Sequence, residues 1–258
     1  MSVQDTGALE RVPDDWFVGF HTGLPARFWR AAGATMADAD AKLVMRALAL
    51  ERGASVLDVP CGDGRLTVRL AAAGCAVIGI DLAEAELELA RAAAGRAGVS
   101  ARVVAGDLRA LPDVGSVDAV VSWGNSFGYL LPGDSARSLA GMRRALLAGG
   151  RLLLETATAA ESLLAGGISP RAQYEFGGVR MTTRNRYRAG ESRLETEYVF
   201  EDDEGLVEHA RAAHHVHTAG EIVRMLRAAG FRDVELLDAD GTSPYEIGSK
   251  RLIALATA

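Results

Sequence analysis

The chain has 258 residues, 49% of them hydrophobic and 24% charged, which suffices to bury one full core and excludes disorder as the main state. A net charge of −6 leaves no basic surface to hold a phosphate backbone, so a nucleic-acid partner is not expected. The start, MSVQDTGALERVPDD, is polar and acidic, and no apolar run reaches membrane-spanning length; the expectation is a cytoplasmic protein, monomer or homodimer, without a membrane partner.

Residues 14 to 50 place Trp16, Phe17, Phe20, Phe28, Trp29, Leu43, Val44, Ala47 and Leu48 at helical spacing, predicting a cap of two or three helices broken near Thr22-Gly23-Leu24-Pro25. From Ser55 short apolar runs alternate with helices. Strands are predicted over Ser55–Val59, Ala76–Ile80, Arg102–Ala105, Ala119–Ser122 and Leu152–Thr156, and helices over Arg65–Ala73, Ala83–Ala97 (closed by Gly98) and Ser135–Leu147. Runs of this kind are strands buried on both faces, and their alternation with helices predicts a doubly wound, Rossmann-like, mostly parallel sheet.

After Thr156 the rhythm changes. Residues 172 to 217 alternate with a period near two, punctuated by Gly177-Gly178, Gly190 and Gly205, which predicts three or four antiparallel strands joined by hairpins. Thr218 with Glu221 forms a capping-box signature for a helix ended by Gly230. Strands over Val234–Leu237 and Arg251–Leu255 bring the main sheet to seven. The chain thus divides into an N-terminal helical cap (1–50), a core (51–156), an antiparallel β insertion placed to roof the site as a substrate lid (157–217), and the C-terminal part of the core (218–258). Tyr174, Arg184 and Arg186 of the insertion are its candidate acceptor contacts.

The chemistry gathers in VLDVPCGDGRL, residues 56 to 66. A strand running into Gly62-Asp63-Gly64 and a helix lets backbone approach a ligand closely. Asp81 ends the second strand, where ribose hydroxyls lie when a nucleoside crosses the strand ends, and Asp107 follows the third; a carboxylate accepts hydrogen bonds from a ribose diol or from an adenine amino group. Thr67 occupies the place of the third glycine of a dinucleotide fingerprint, and Asp63 would repel a pyrophosphate while suiting a sulfonium or ammonium. S-adenosylmethionine (SAM) carries both cations. A NAD-dependent oxidoreductase is disfavoured on the same grounds.

These residues resemble the class I SAM-dependent methyltransferases of the small-molecule, natural-product-tailoring type. Asp58 through Arg65 is similar to that family's first motif, Asp81 to its ribose acid, Asp107 to its adenine-contacting acid, and VDAVVSWGNSFGYL (117–130) to its fourth motif; Pro60 stands where many members have glycine. The resemblance implies a cofactor-binding set of Asp58, Cys61, Gly62, Gly64, Arg65, Asp81, Leu82, Asp107, Leu108, Ser122, Trp123 and Asn125. It also implies a small-molecule methyl acceptor, methylated on nitrogen or oxygen. The alternative is a protein of this fold that binds the ligand without methyl transfer or catalyses another displacement.

A general base is required only where the acceptor holds a proton. His215 and His217, predicted on one face of the last insertion strand, and Tyr129 are the candidate catalytic groups, with His21, His214, Tyr174 and Glu155 behind them. The aromatic N-terminal segment is read as core packing or as a lid over the sulfonium. No metal site is predicted: Cys61 and Cys75 have no partners at ligand spacing and are read as reduced.

Overall fold

The computed structural model describes residues 11–258. Helices α1 (Phe17–Phe20) and α2 (Gly23–Leu48) open the chain. Strand–helix alternation follows: β1 (Ser55–Asp58), α3 (Arg65–Ala72), β2 (Ala76–Asp81), α4 (Glu84–Ala97), β3 (Arg102–Ala105), β4 (Val117–Ser122), α5 (Pro132–Ala145) and β5 (Leu146–Thr156). After the short α6 (Ala160–Leu163) come four strands, β6 (Arg171–Phe176), β7 (Val179–Arg188), β8 (Arg193–Asp202) and β9 (Val207–His215). Helix α7 (Ala219–Ala228) with β10 (Arg232–Leu237) and β11 (Leu252–Thr257) ends the chain.

The main sheet has seven strands in the order β10-β11-β5-β4-β1-β2-β3, and β11 runs antiparallel to both neighbours. The predicted fold class is therefore the observed one. In β1 and β4 nearly every side chain is buried, as their continuous apolar runs require of strands covered on both faces. The order reverses between β1 and β4, and in such sheets ligands bind outside the carboxyl ends of the strands at that reversal. Among the described residues, no helix is long and apolar enough to cross a membrane.

Strands β6 to β9 form a separate antiparallel sheet in sequential order, with reversals at Gly177-Gly178, at 189–192 and at 203–206. Its inner face, with Val179, Met181, Tyr198 and Phe200, packs against Phe20, Leu24 and Phe28 of the N-terminal helices. The other half of α2 (Ala41, Leu43, Val44, Leu48) packs with β1, α3 and β11. One helix thus serves two cores.

Of the predicted boundaries that move, three do so for a plain local reason. Helix α2 is continuous over 26 residues, because Pro25 stands in its first turn, where no intrahelical N–H bond is lost, and marks a start rather than a break; the break lies at His21 and Thr22. Helix α5 starts at Pro132 for the same reason and ends at Ala145, since Leu146 is already extended and opens β5. The Thr218–Glu221 capping box is present as predicted.

Gly62 (φ 54°) and Gly64 (φ 81°) both hold left-handed backbone, but in different surroundings: a Cβ on Gly62 would meet nothing within 4 Å, whereas one on Gly64 would lie 2.9 Å from Ala90 Cβ on α4. Gly62→Ala should therefore cost roughly 1–2 kcal/mol, the left-handed penalty alone, and Gly64→Ala roughly 1–3 kcal/mol more from overpacking. Urea denaturation of the two variants checks the order, and equal losses would refute it.

Candidate cofactor and acceptor site

A cleft with a cavity of about 210 Å³ lies at the carboxyl ends of β1, β2, β3 and β4. Of the residues singled out in the sequence, Cys61, Gly62, Arg65, Asp81, Leu82, Asp107, Leu108, Trp123 and Tyr129 line it, with Asp63 and His21. Asp58, Gly64, Ser122, Asn125, His215 and His217 do not.

The floor is held by carboxylates that accept backbone hydrogen bonds. Asp81 Oδ2 accepts from the Gly62 amide at 2.8 Å and its Oδ1 from the Ala83 amide at 3.0 Å, which fixes the carboxylate at the end of β2 and leaves further lone pairs for a diol. Asp58 sits one layer below: it is buried and accepts from Thr67 Oγ1 at 2.6 Å. The threonine that replaces a dinucleotide-type glycine thus partners this acid, whose pKa burial raises to about 6 against that hydrogen bond. Glu155, also buried, accepts from the Gly124 and Asn125 amides at 2.9 and 3.1 Å, and Asn125 Oδ1 accepts from the amides of Ala157 and Thr158. These two side chains shape the loop after β4. Burial pushes the Cys61 thiol far up, so it packs as an unreactive group; both cysteines are free.

At the other end Asp107 is gripped by Arg109, whose amide donates to Oδ1 at 2.8 Å and whose Nε donates to both oxygens. These bonds hold the Asp107 carboxyl below its usual range. The Arg109 guanidinium lies 5.4 Å from the Phe17 ring centroid, tying the roof to this wall.

The roof is the N-terminal segment. Phe17, Val18, His21, Ala26, Trp29 and Arg30 line the cleft, whereas no residue of 157–217 does. The insertion stands behind the roof and supports it, which corrects the expectation that it covers the site itself. Within it, pleat alternation sends Arg184 to the outer face, where it pairs with Glu197, and Arg186 shares that face. Tyr174 faces inward but is largely exposed and does not line the cleft. Arg30 and Glu86, paired at 2.9 Å, were not anticipated; they stand 56 residues apart, and no local pattern announces such a pair.

The histidines separate by strand face. His214, not His215, shares the inner face and packs against Trp16 and Tyr129, ring centroids 5.5 and 5.2 Å away. His215 lies opposite Arg193 on the outer face, and His217, past the end of β9, packs against Phe127. His21 alone of these lines the cleft, and burial lowers its pKa, opposed by the Asp81 carboxylate and aided by Arg30. Burial raises the pKa of the Tyr129 hydroxyl. Among the described residues, no three His, Cys, Asp or Glu side chains gather in a metal-holding group.

Residues 56–150 match the methyltransferase domain family. A cypemycin N-terminal methyltransferase from a Streptomyces species is 29% identical over 215 residues, covering 79% of this chain and 82% of that protein. Among solved structures, an S-adenosylmethionine-dependent methyltransferase from Clostridium acetobutylicum superposes with a TM-score of 0.77 at 16% identity, covering 89% of this chain and 97% of its own. The sugar N-methyltransferase KedS8 from a Streptoalloteichus species superposes with a TM-score of 0.60 at 25% identity, covering 98% of each. The match over residues 56–150 is to a methyltransferase domain, and the fold is the one shared with S-adenosylmethionine-dependent methyltransferases. SAM is the cofactor this points to, and the donor set fits: Asp63, Asp81, Glu86 and Asp107 line the cleft against Arg30 and Arg65, both paired with carboxylates, an environment that favours a cation.

Burial lowers the pKa of His214 to about 4, and those of His21, His215 and His217 also fall below the ordinary imidazole value of about 6.5. At these four histidines the unfolded chain therefore takes up protons between about pH 6.5 and pH 4 that the folded chain does not, so their share of the stability is full above the unfolded-state pKa and is lost as pH falls through this window, while the raised carboxyls of Asp58, Glu86 and Glu155 act in the opposite sense. His214→Leu removes a buried ring whose Nδ1 has no hydrogen-bond partner among the described residues, so the urea midpoint of the wild type should fall relative to that of the variant between pH 7 and pH 5; parallel pH profiles would remove His214 from the account.

Proposed function

We propose that the chain transfers a methyl group from SAM to an amine of a small molecule in natural-product biosynthesis, with a hydroxyl as the second choice of acceptor. The observation that carries this reading is the carboxylate-lined cleft at the glycine turn, closed by an aromatic roof. Nitrogen is preferred because the cypemycin enzyme is an N-terminal methyltransferase and KedS8 a sugar N-methyltransferase.

Bound SAM supplies an electrophilic methyl on a sulfonium, a good leaving group, so most of the rate can come from alignment. Asp81 would hold the ribose hydroxyls, Leu82 and Leu108 would flank the adenine, and Asp107 would accept from its amino group in competition with Arg109. Arg65 meets the methionine carboxylate and Asp63 the ammonium. Trp123 and the Gly124 backbone would lie below the sulfonium, and Phe17, Val18 and Trp29 of the roof would exclude water from it.

An ammonium acceptor must lose a proton before its nitrogen can attack. His21 is the base: it lines the cleft, burial keeps its imidazole neutral at pH 7, and the Asp81 carboxylate offsets the imidazolium charge. Tyr129, held protonated by burial, donates a hydrogen bond and orients the acceptor. His215 and His217, candidates in the sequence, stand outside the wall of the cleft and have no part in this reading.

Calorimetric titration with S-adenosylhomocysteine should show binding, and Asp81→Ala should weaken it by roughly 2–4 kcal/mol through loss of charge-assisted hydrogen bonds. Unchanged affinity in a folded variant would overturn the ribose assignment. With an acceptor found by screening amino sugars, peptide amines, phenols and carboxylates, kcat/KM should fall as pH drops below the His21 pKa. His21→Gln should lower the rate about 10²-fold or more and abolish that acidic limb.

A further inference from the structure

Arg65 enters the cleft from the first turn of α3, and its course is set by glycines. A Cβ on Gly33 of α2 would stand 3.3 Å from Arg65 Cδ, and one on Gly124 would stand 3.8 Å from its Nη2. The side chain therefore threads between α2 and the loop after β4. Among the described residues its guanidinium gives one hydrogen bond, from Nη1 to Asp40 Oδ2 at 2.9 Å, out of five donors.

Asp40 is only 3% exposed and lies in the middle of α2, where that helix passes from one core to the other. Its second oxygen accepts from Arg251 Nη2 at 3.2 Å, just ahead of β11. Arg251 in turn lies 5.0 Å from the centroid of the Trp123 ring, and Trp123 lines the cleft. One carboxylate between two guanidiniums leaves a local positive excess at this end of a cleft whose other lining charges are mostly acidic. That excess suits an anion.

We propose that Asp40 is a positioning residue for the amino-acid end of the cofactor: it aims Arg65 at the carboxylate and so makes the docking of α2, which carries the roof, part of cofactor recognition. The proposal rests on the reading of the cleft as a SAM site. By linkage, whatever Arg65 gains from the ligand depends on α2 being docked, and the ligand tightens α2 in return.

The test compares S-adenosylhomocysteine with 5′-methylthioadenosine, which keeps the adenosine thioether and lacks the amino-acid end. Asp40→Asn should weaken S-adenosylhomocysteine by about tenfold or more, the scale of one hydrogen bond to a charged group, and leave 5′-methylthioadenosine within about twofold. A role confined to folding would weaken both ligands alike and would overturn the proposal, as would unchanged affinity for both. If Asp40→Asn does not fold, amide hydrogen exchange on the wild type decides: S-adenosylhomocysteine should protect residues 33–44 beyond what saturating 5′-methylthioadenosine achieves, and equal protection refutes the proposal. Wild-type protein that binds neither ligand would overturn the SAM reading itself; wild-type binding with no difference between the two ligands in either measurement would overturn the Asp40 proposal alone.

Discussion

The hydrogen bond from the Gly62 amide to Asp81 at 2.8 Å joins the turn after β1 to the end of β2, and the geometry of the cleft depends on it. The same carboxylate accepts from Ala83 at 3.0 Å, at the N-cap of α4, so one side chain sets the turn, the strand end and the start of a helix. Beneath the turn, a Cβ on Gly79 would lie 3.0 Å from Cys61 Sγ and 3.1 Å from Thr67 Oγ1. Glycine at 79 is what allows the turn and the first helix to settle onto β2. The open side of Gly62 is left facing the cleft.

Charge is distributed in the cleft with the same economy. The two arginines that line it are neutralised by acids from distant elements, Arg30 by Glu86 and Arg65 by Asp40, and Arg109 beside it is paired with Asp107 two residues away. Desolvating an unpaired guanidinium would be costly, and each pair lowers that cost. Among the described residues Asp81 and Asp63 are not paired with a cation, so the residual potential there is negative, and a cationic ligand would meet carboxylates already held by backbone amides.

The strands, the alternating helices, the glycine turn and the capping box were legible because each is a local pattern with its own period or spacing. Asp63, Asp81 and Asp107 were found by their register with the strand ends. The Asp40–Arg251 contact spans 211 residues and leaves no periodic trace. The side taken by the histidine faces stayed open for a different reason: alternation along 214–217 says which rings share a side, but not which side meets the core, and the side is set by the docking of Phe20, Leu24 and Phe28 on Val179, Met181 and Phe200. The continuity of α2 was hidden by Pro25, a residue that stops a helix in mid-course and suits it in the first turn.

Roof and insertion are best understood through that helix. The insertion contributes no wall to the cleft, yet its inner face buries Phe28 to 1% exposure, and the adjacent Trp29 lines the cleft. The Trp16 Nε1 bond to the Ala213 carbonyl at 2.8 Å and the Arg193–Asp14 pair fix the approach to α1 against β9 and β8. A change in the sheet's packing is therefore carried to Phe17, His21 and Trp29 by rigid contacts, while the glycine turn stays with β1 and β2. Roof and glycine turn thus belong to different layers of the fold, joined along α2, and the insertion bears on the cleft by placing the roof rather than by lining it.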